Sequence, residues 1–250
     1  MEPVGRLQGA RILVTRPAAQ AEKLCRMIEA EQGVALRLPL LSIEPIQQAG
    51  EACQRLAAGH DLWIFTSANA VRHSAPLITG TWPARVAAIG PATAAALGSA
   101  PVLTVPVSGA SSEALLAQSG FSNVAGLRVL VVTGEGGLGL LEEELAARGA
   151  VVERAEVYRR VPLPYPADTV AGFLRRANIL VVTSAEALEH LLRLTPEDAH
   201  KALKRKALVL PSARVIERAR DMGFVRSATI DGPMSDAAVL TACAQILETR

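Results

Sequence analysis

The sequence predicts an α/β protein of two similar domains, each a parallel sheet flanked by helices, joined by a two-stranded linker, with one domain discontinuous. Three observations lead there. Short continuous apolar runs alternate with helix-like periodicity along the chain, as strands buried on both faces and their covering helices do. One motif occurs twice, as LWIFTSANAVRHSAPL from Leu62 and as ILVVTSAEALEHLL from Ile179. The units flanking these two copies recur in the same order but are circularly offset.

Taken in order, Arg11 to Thr15 (RILVT) reads as a strand, and Pro17 suits the first turn of a helix running to Ala30. Gly33 ends that helix. Val34 to Leu41 reads as one strand leading into a proline-bearing extended segment, Ser42 to Ile46. Gly50 to Ala58 is a helix, Leu62 to Phe65 a strand, and a helix follows from Ala68. Arg85 to Ile89 is a strand, Gly90-Pro91 a turn and Ala92 to Leu97 a helix; Val102 to Val105 is a short strand before Ser111-Ser112-Glu113 and the helix Ala114 to Gln118. Arg128 to Thr133 (RVLVVT) is a buried strand, Gly134 to Gly139 a glycine-rich loop, and Leu140 to Arg148 a helix closed by Gly149. Val151 to Tyr158 is extended and Arg159 to Pro166 a second proline-bearing connector. The Thr-Ser unit then recurs at Ile179, followed by Ala207 to Leu210 with Pro211-Ser212, Ala228 to Ile230, and a final helix from Ser235.

Spacing makes the two copies a repeat. Ser67 to Pro91 is 24 positions and Ser184 to Pro211 is 27, while Pro91 to Ser112 is 21 and Pro211 to Ser235 is 24. The remaining unit follows the first copy (LVVTGE to GAVVERAEVY) but for the second copy lies at the N-terminus (ILVTRP to GVALRLPL). The expected domains are therefore 1–40 plus 162–250, and 41–161, with connectors near 38–46 and 157–165. Boundaries in extended proline-bearing segments are common. A ligand cleft is expected between the domains.

Composition narrows the function. Half of the residues are hydrophobic and 3% aromatic, so the cores must be aliphatic. With 26 basic and 24 acidic residues the chain has no field to recruit nucleic acid, and few rings on which bases could stack. Cys25, Cys53 and Cys243 form no CxxC pair, and the four histidines have no metal-ligand spacing, so reduced packing thiols and no metal are expected. No apolar run reaches the roughly 18 residues of a membrane span, and Met1 to Gln8 lacks a signal-peptide core. A cytoplasmic monomer is expected.

Chemistry should gather at the carboxyl ends of the strands, where helix N-termini offer unpaired amides to anions. Thr66 and Ser67, Thr93, Ser112, Thr183 and Ser184, and Ser212 all fall at such ends, and helix capping alone also accounts for them. Arg16, Arg159, Arg160 and Arg214 are candidate anion contacts, with Arg16 foremost; solvated surface charge is the alternative. Tyr158, one of two tyrosines, ends the strand entering the second connector.

The residues also resemble a known family, the uroporphyrinogen-III synthases of haem biosynthesis. The matching pieces are LVTRP (Leu13 to Pro17), FTSANAV (Phe65 to Val71), IGPATAAAL (Ile89 to Leu97), SSEALL (Ser111 to Leu116), TGEGG with its helix end (Thr133 to Ala150) and VYRR (Val157 to Arg160), in the family's order. Two departures stand out. Thr133 and Leu138 replace the arginines of the family's RGEGGR, and Leu210-Pro-Ser-Ala-Arg214 stands where a second GP(S/T)TA-like turn is usual. The resemblance implies a cofactor-free lyase. Hydroxymethylbilane, a linear tetrapyrrole with eight carboxylates, would lose water and cyclise with its terminal ring inverted. It also implies substrate contacts at Arg16, Thr66, Ser67, Thr93, Ser112, Thr183, Ser184 and Ser212, with Tyr158 assisting departure of the hydroxyl.

Two rivals are open. Gly134-Glu-Gly136-Gly-Leu-Gly139 satisfies GxGxxG between a strand and a helix, with Glu153 about 20 residues on, as in dinucleotide-binding enzymes. A two-domain binding protein without enzymatic activity would share the architecture.

Overall fold

The computed structural model describes residues 5–46, 50–79, 81–98, 102–104, 111–137, 139–230 and 235–248. In chain order, β1 (Arg11–Val14), α1 (Ala18–Ala30), β2 (Val34–Arg37) and β3 (Leu41–Pro45) come first. There follow α2 (Gly50–Ala57), β4 (Leu62–Phe65), α3 (Ala68–Ser74), β5 (Arg85–Ala88), α4 (Pro91–Leu97), β6 (Val102–Thr104), α5 (Ser112–Leu116), β7 (Arg128–Gly134), α6 (Leu140–Ala147) and β8 (Val151–Pro162). The last part adds α7 (Ala167–Arg176), β9 (Ile179–Val181), α8 (Ala185–Leu194), α9 (His200–Leu203), β10 (Ala207–Leu210), α10 (Ala213–Asp221), β11 (Ser227–Thr229) and α11 (Asp236–Glu248).

The chain divides into two compact units, residues 1–42 with 161–250, and 43–160. The first is built on a sheet of order β11-β10-β9-β1-β2, the second on β3-β8-β7-β4-β5-β6. In the first sheet β1 lies parallel between β2 and β9, with Leu13 opposite Leu36 and Leu180. The N-terminal strands thus complete a sheet whose other members come from the last third of the chain.

Alternation along each strand sorts its side chains onto two faces. Leu13, Leu180 and Leu208 face a core shared with Val170 and Leu174 of α7 and Leu188 and Leu191 of α8. Ile12, Val14, Ile179, Val181 and Val209 face the other, with Leu24 and Ile28 of α1 and Val239, Cys243 and Ile246 of α11. In the second unit Trp63, Phe65, Leu130 and Val132 pack with α2, α3 and α4, while Leu62, Ile64, Val129 and Val131 pack with α5 and α6. Each large apolar side chain so buried contributes about 1.5–3 kcal/mol. Burial also silences the thiol of Cys243, whose pKa is pushed up to about 12.

The structure departs from the sequence reading in several places. The strand expected over Val34 to Leu41 is two strands, because Pro39 cannot donate to a ladder; its carbonyl accepts the Tyr165 hydroxyl at 2.8 Å. The second connector is strand as far as Pro162, and β3 lies next to β8 in the sheet. Helix α7 occupies a stretch given no element by the sequence reading. The connector expected over Arg159 to Pro166 ends where this helix begins: Pro166 is the N-cap, and Val170 and Leu174 supply the buried stripe. Val105 lies outside the described residues.

Candidate active site

Both sheets are parallel where these residues sit, so the strand ends named above fall on a single edge of each sheet. In the first unit that edge carries Arg16 after β1, Thr183 and Ser184 after β9, and Ser212 after β10. In the second it carries Thr66 and Ser67 after β4, Thr93 after β5, Ser112 after β6 and Gly134 ending β7.

Tyr158 belongs to the second edge and is 5% exposed. The phenol oxygen lies 3.2 Å from Ser67 Oγ. Ser67 is itself fixed, because its extended backbone makes it the N-cap of α3 and its hydroxyl accepts the Ala70 N–H at 3.0 Å. Beside it, Thr66 Oγ1 donates to Thr133 Oγ1 at 2.9 Å. The His73 ring stands 5.7 Å from that of Tyr158, centroid to centroid. Burial first, and the neighbouring Arg72 second, hold His73 below the usual imidazole pKa, which favours its neutral form.

On the first unit's edge Arg16 is 8% exposed, not the solvated charge that was its alternative. Its Nη1 donates to Asp236 Oδ1 at the start of α11, while Nε and Nη2 have no partner among the described residues. A guanidinium buried with two unpartnered nitrogens is costly to keep unless an anion completes it. Thr15, the preceding residue, is tied down through Oγ1 to the Val181 carbonyl at 2.9 Å. Ser184 caps α8 by accepting from Ala187 N–H at 3.1 Å. Asp236, His73, Thr133 and Gly134 were not singled out as site residues by the sequence; nothing in a single sequence pairs Asp236 with Arg16, 220 positions away.

Several candidates sit differently from expectation. Ser112 is not the cap of α5: Ser111 is, accepting from Ala114 N–H at 3.2 Å, and Ser112 is the first helical residue. Thr93 is buried in the first turn of α4, whose N-cap is Gly90 with Pro91 following. Ser212 has N-cap geometry but makes no capping bond, and both it and Arg214 are exposed. Arg159 faces Glu44 at 3.5 Å, and Arg160 donates to the Glu135 carbonyl at 3.3 Å.

Among the described residues, the glycine-rich loop does not offer a phosphate cradle. Arg154 donates to the carbonyls of Gly134 and Gly136 and pairs with Glu142 at 2.6 Å. Glu142 and Glu143 occupy the first turn of α6, where a phosphate would need positive potential. Glu153 already faces His60 at 3.3 Å and Arg128 at 3.5 Å. Leu138 lies outside the described residues.

Comparison with known proteins decides the family. Residues 22–239 match the family described as uroporphyrinogen-III synthase HemD. The chain belongs to the uroporphyrinogen-III synthase family. It is 35% identical over 239 residues to the uroporphyrinogen-III synthase of Salmonella typhimurium, covering 90% of this chain and 97% of that protein. With the Escherichia coli synthase it shares 33% identity over 239 residues, again covering 90% of this chain and 97% of that protein. Among solved structures, a mutant uroporphyrinogen III synthase from the extremely thermophilic bacterium Thermus thermophilus superposes with a TM-score of 0.67 at 21% identity, covering 97% of this chain and 100% of that one. The Helicobacter pylori synthetase gives 0.60 at 14%, covering 96% and 100%. These two show that the synthase fold is shared, including its two-domain α/β architecture. Neither the dinucleotide reading nor the non-enzymatic one finds support in these relationships.

Proposed function

We propose that this chain is a uroporphyrinogen-III synthase acting as a lyase on hydroxymethylbilane, expelling water and closing the macrocycle with its terminal ring inverted. Family membership along most of the chain supports the reaction. The part-buried Ser67–Tyr158 contact is the observation that supports a catalytic assignment. Ser67 accepts from Ala70 N–H and can donate its own proton to the phenol oxygen, which leaves the Tyr158 proton free to point at a leaving hydroxyl. Such a chain of donors polarises each successive O–H and stabilises phenolate as it forms. The C–O bond breaks, the phenol proton departs with the oxygen as water, and the phenolate recovers a proton when the pyrrole carbon that forms the new C–C bond regains aromaticity.

Positioning does the larger share, since holding the two ends of a flexible polyanion together lowers the barrier without covalent help. We assign that task to Arg16, through its unpartnered Nε and Nη2, and to the strand-end groups Thr66, Ser67, Thr93, Ser112, Thr183, Ser184 and Ser212 with the backbone amides that follow them. The enzyme is taken to work as a cytoplasmic monomer with no cofactor. Purified protein supplied with hydroxymethylbilane, without metal or nucleotide, should yield the type III isomer; formation of only the spontaneous type I product would refute the proposal. Among the described residues no helix is long and apolar enough to cross a membrane.

A further inference from the structure

We infer that Gly134 is a positioning residue whose missing side chain provides the seat for the Tyr158 phenol. This rests on the assignment of Tyr158 to hydroxyl departure and adds a second residue to it. The strands β7 and β8 are in plain parallel register from Arg128 opposite Val151 to Thr133 opposite Glu156. There the register shifts, and Gly134 comes opposite Tyr158 rather than Val157. The irregularity lets the adjacent residues Val157 and Tyr158 both enter the same core, which strict alternation forbids. A bulge of this kind re-aims a side chain.

The re-aimed ring lies against the bare Cα. A Cβ on Gly134 would stand 2.5 Å from Tyr158 Cζ, 2.7 Å from Cε2 and 2.9 Å from Cε1. These three atoms form the hydroxyl end of the ring, so a methyl group there would displace the catalytic oxygen itself. The backbones cannot separate to make room without breaking the bond from Glu135 N–H to the Tyr158 carbonyl at 2.7 Å. Nor is solvent available to the ring, which is buried and has His73 as a neighbour. The Ser67 contact has little slack either, since at 3.2 Å a shift of a few tenths of an ångström takes it beyond hydrogen-bond range. Gly134 is not in the left-handed region, so the strand backbone accepts alanine and the ring is what objects.

The test compares Gly134→Ala, Tyr158→Phe and the double variant, each labelled with 3-fluorotyrosine. The chain has two tyrosines, so Tyr165 is an internal control and Tyr158→Phe assigns the signals. In Gly134→Ala the fluorine resonance of Tyr158 should move while that of Tyr165 stays. Its kcat should fall at least about tenfold with KM little changed, and adding Tyr158→Phe should cost nothing further. An unmoved Tyr158 resonance overturns the inference whatever the rate. A moved resonance with full turnover overturns instead the role of Tyr158, and the catalytic meaning of Gly134 with it. If Gly134→Ala fails to fold, Gly134→Ala/Tyr158→Ala should fold as well as Tyr158→Ala, because the obstructing ring is gone; a double variant that stays unfolded overturns the seat.

Discussion

A phenol is a weak acid, so what Tyr158 contributes depends on where its oxygen is held and what stabilises its anion. In the proposed reaction Ser67 would meet both needs with one hydroxyl, which is anchored to α3 by Ala70 N–H. Tyr158→Phe keeps the ring that fills the core and removes only that oxygen. Turnover should fall by about 10- to 10⁴-fold with KM little changed, because the binding groups are untouched. Unaltered steady-state turnover in the Phe variant would remove Tyr158 from the reaction and leave positioning by Arg16 and the strand-end groups. At this scale the sequence was partly legible. A hydroxyl after an apolar run advertises a strand end, so Ser67 and Ser184 could be found. The cause of Tyr158's orientation is a one-residue register shift between strands, and its seat is an absent side chain; periodicity within one segment reports neither.

At the scale of elements, the serine caps separate into those that bond and those that only occupy the position. Ser184 accepts from Ala187 N–H, while Ser212, with nearly the same extended backbone, makes no such bond. Ser184→Ala should therefore lose about 1 kcal/mol and Ser212→Ala no more than about 0.5 kcal/mol, read as shifts of the urea midpoint at constant slope. Equal losses would show that cap geometry, not the side-chain bond, sets the contribution. Elements were predictable where an apolar run was bounded by turn residues, as for β4 and β10, whose bounds agree to the residue. They were missed where prolines masked the signal: α7 begins directly behind Pro166, a position that starts helices as readily as it ends strands. The displaced cap of α5 has a simpler cause, two adjacent serines that single-sequence reasoning cannot rank.

For the whole molecule, the consequence of the offset repeat is that one sheet is closed by the two ends of the chain. β1 joins β9 to β2 across more than 160 residues of sequence, so the first unit cannot form until both ends are present. Each unit has its own two cores, and residues 43–160 are continuous. Deleting residues 1–42 removes Ile12, Leu13, Val14, Leu24, Ile28 and Leu40, all fully buried. At about 1.5–3 kcal/mol each, their loss amounts to about 9–18 kcal/mol, as large as the whole stability of an ordinary domain. It also leaves β9 with an unpaired, apolar edge. In the shortened chain, hydrogen exchange at the amides of β9 and β10 should become fast, while β4 and β7, paired with each other inside residues 43–160, should stay protected. Protection retained in β9 and β10 would mean that the last 90 residues hold a sheet without β1, and the discontinuous unit would then be two pieces that only touch. Loss of protection in β4 and β7 as well would show that the inserted unit depends on the first for its stability, although its sheet loses only the first two residues of the edge strand β3.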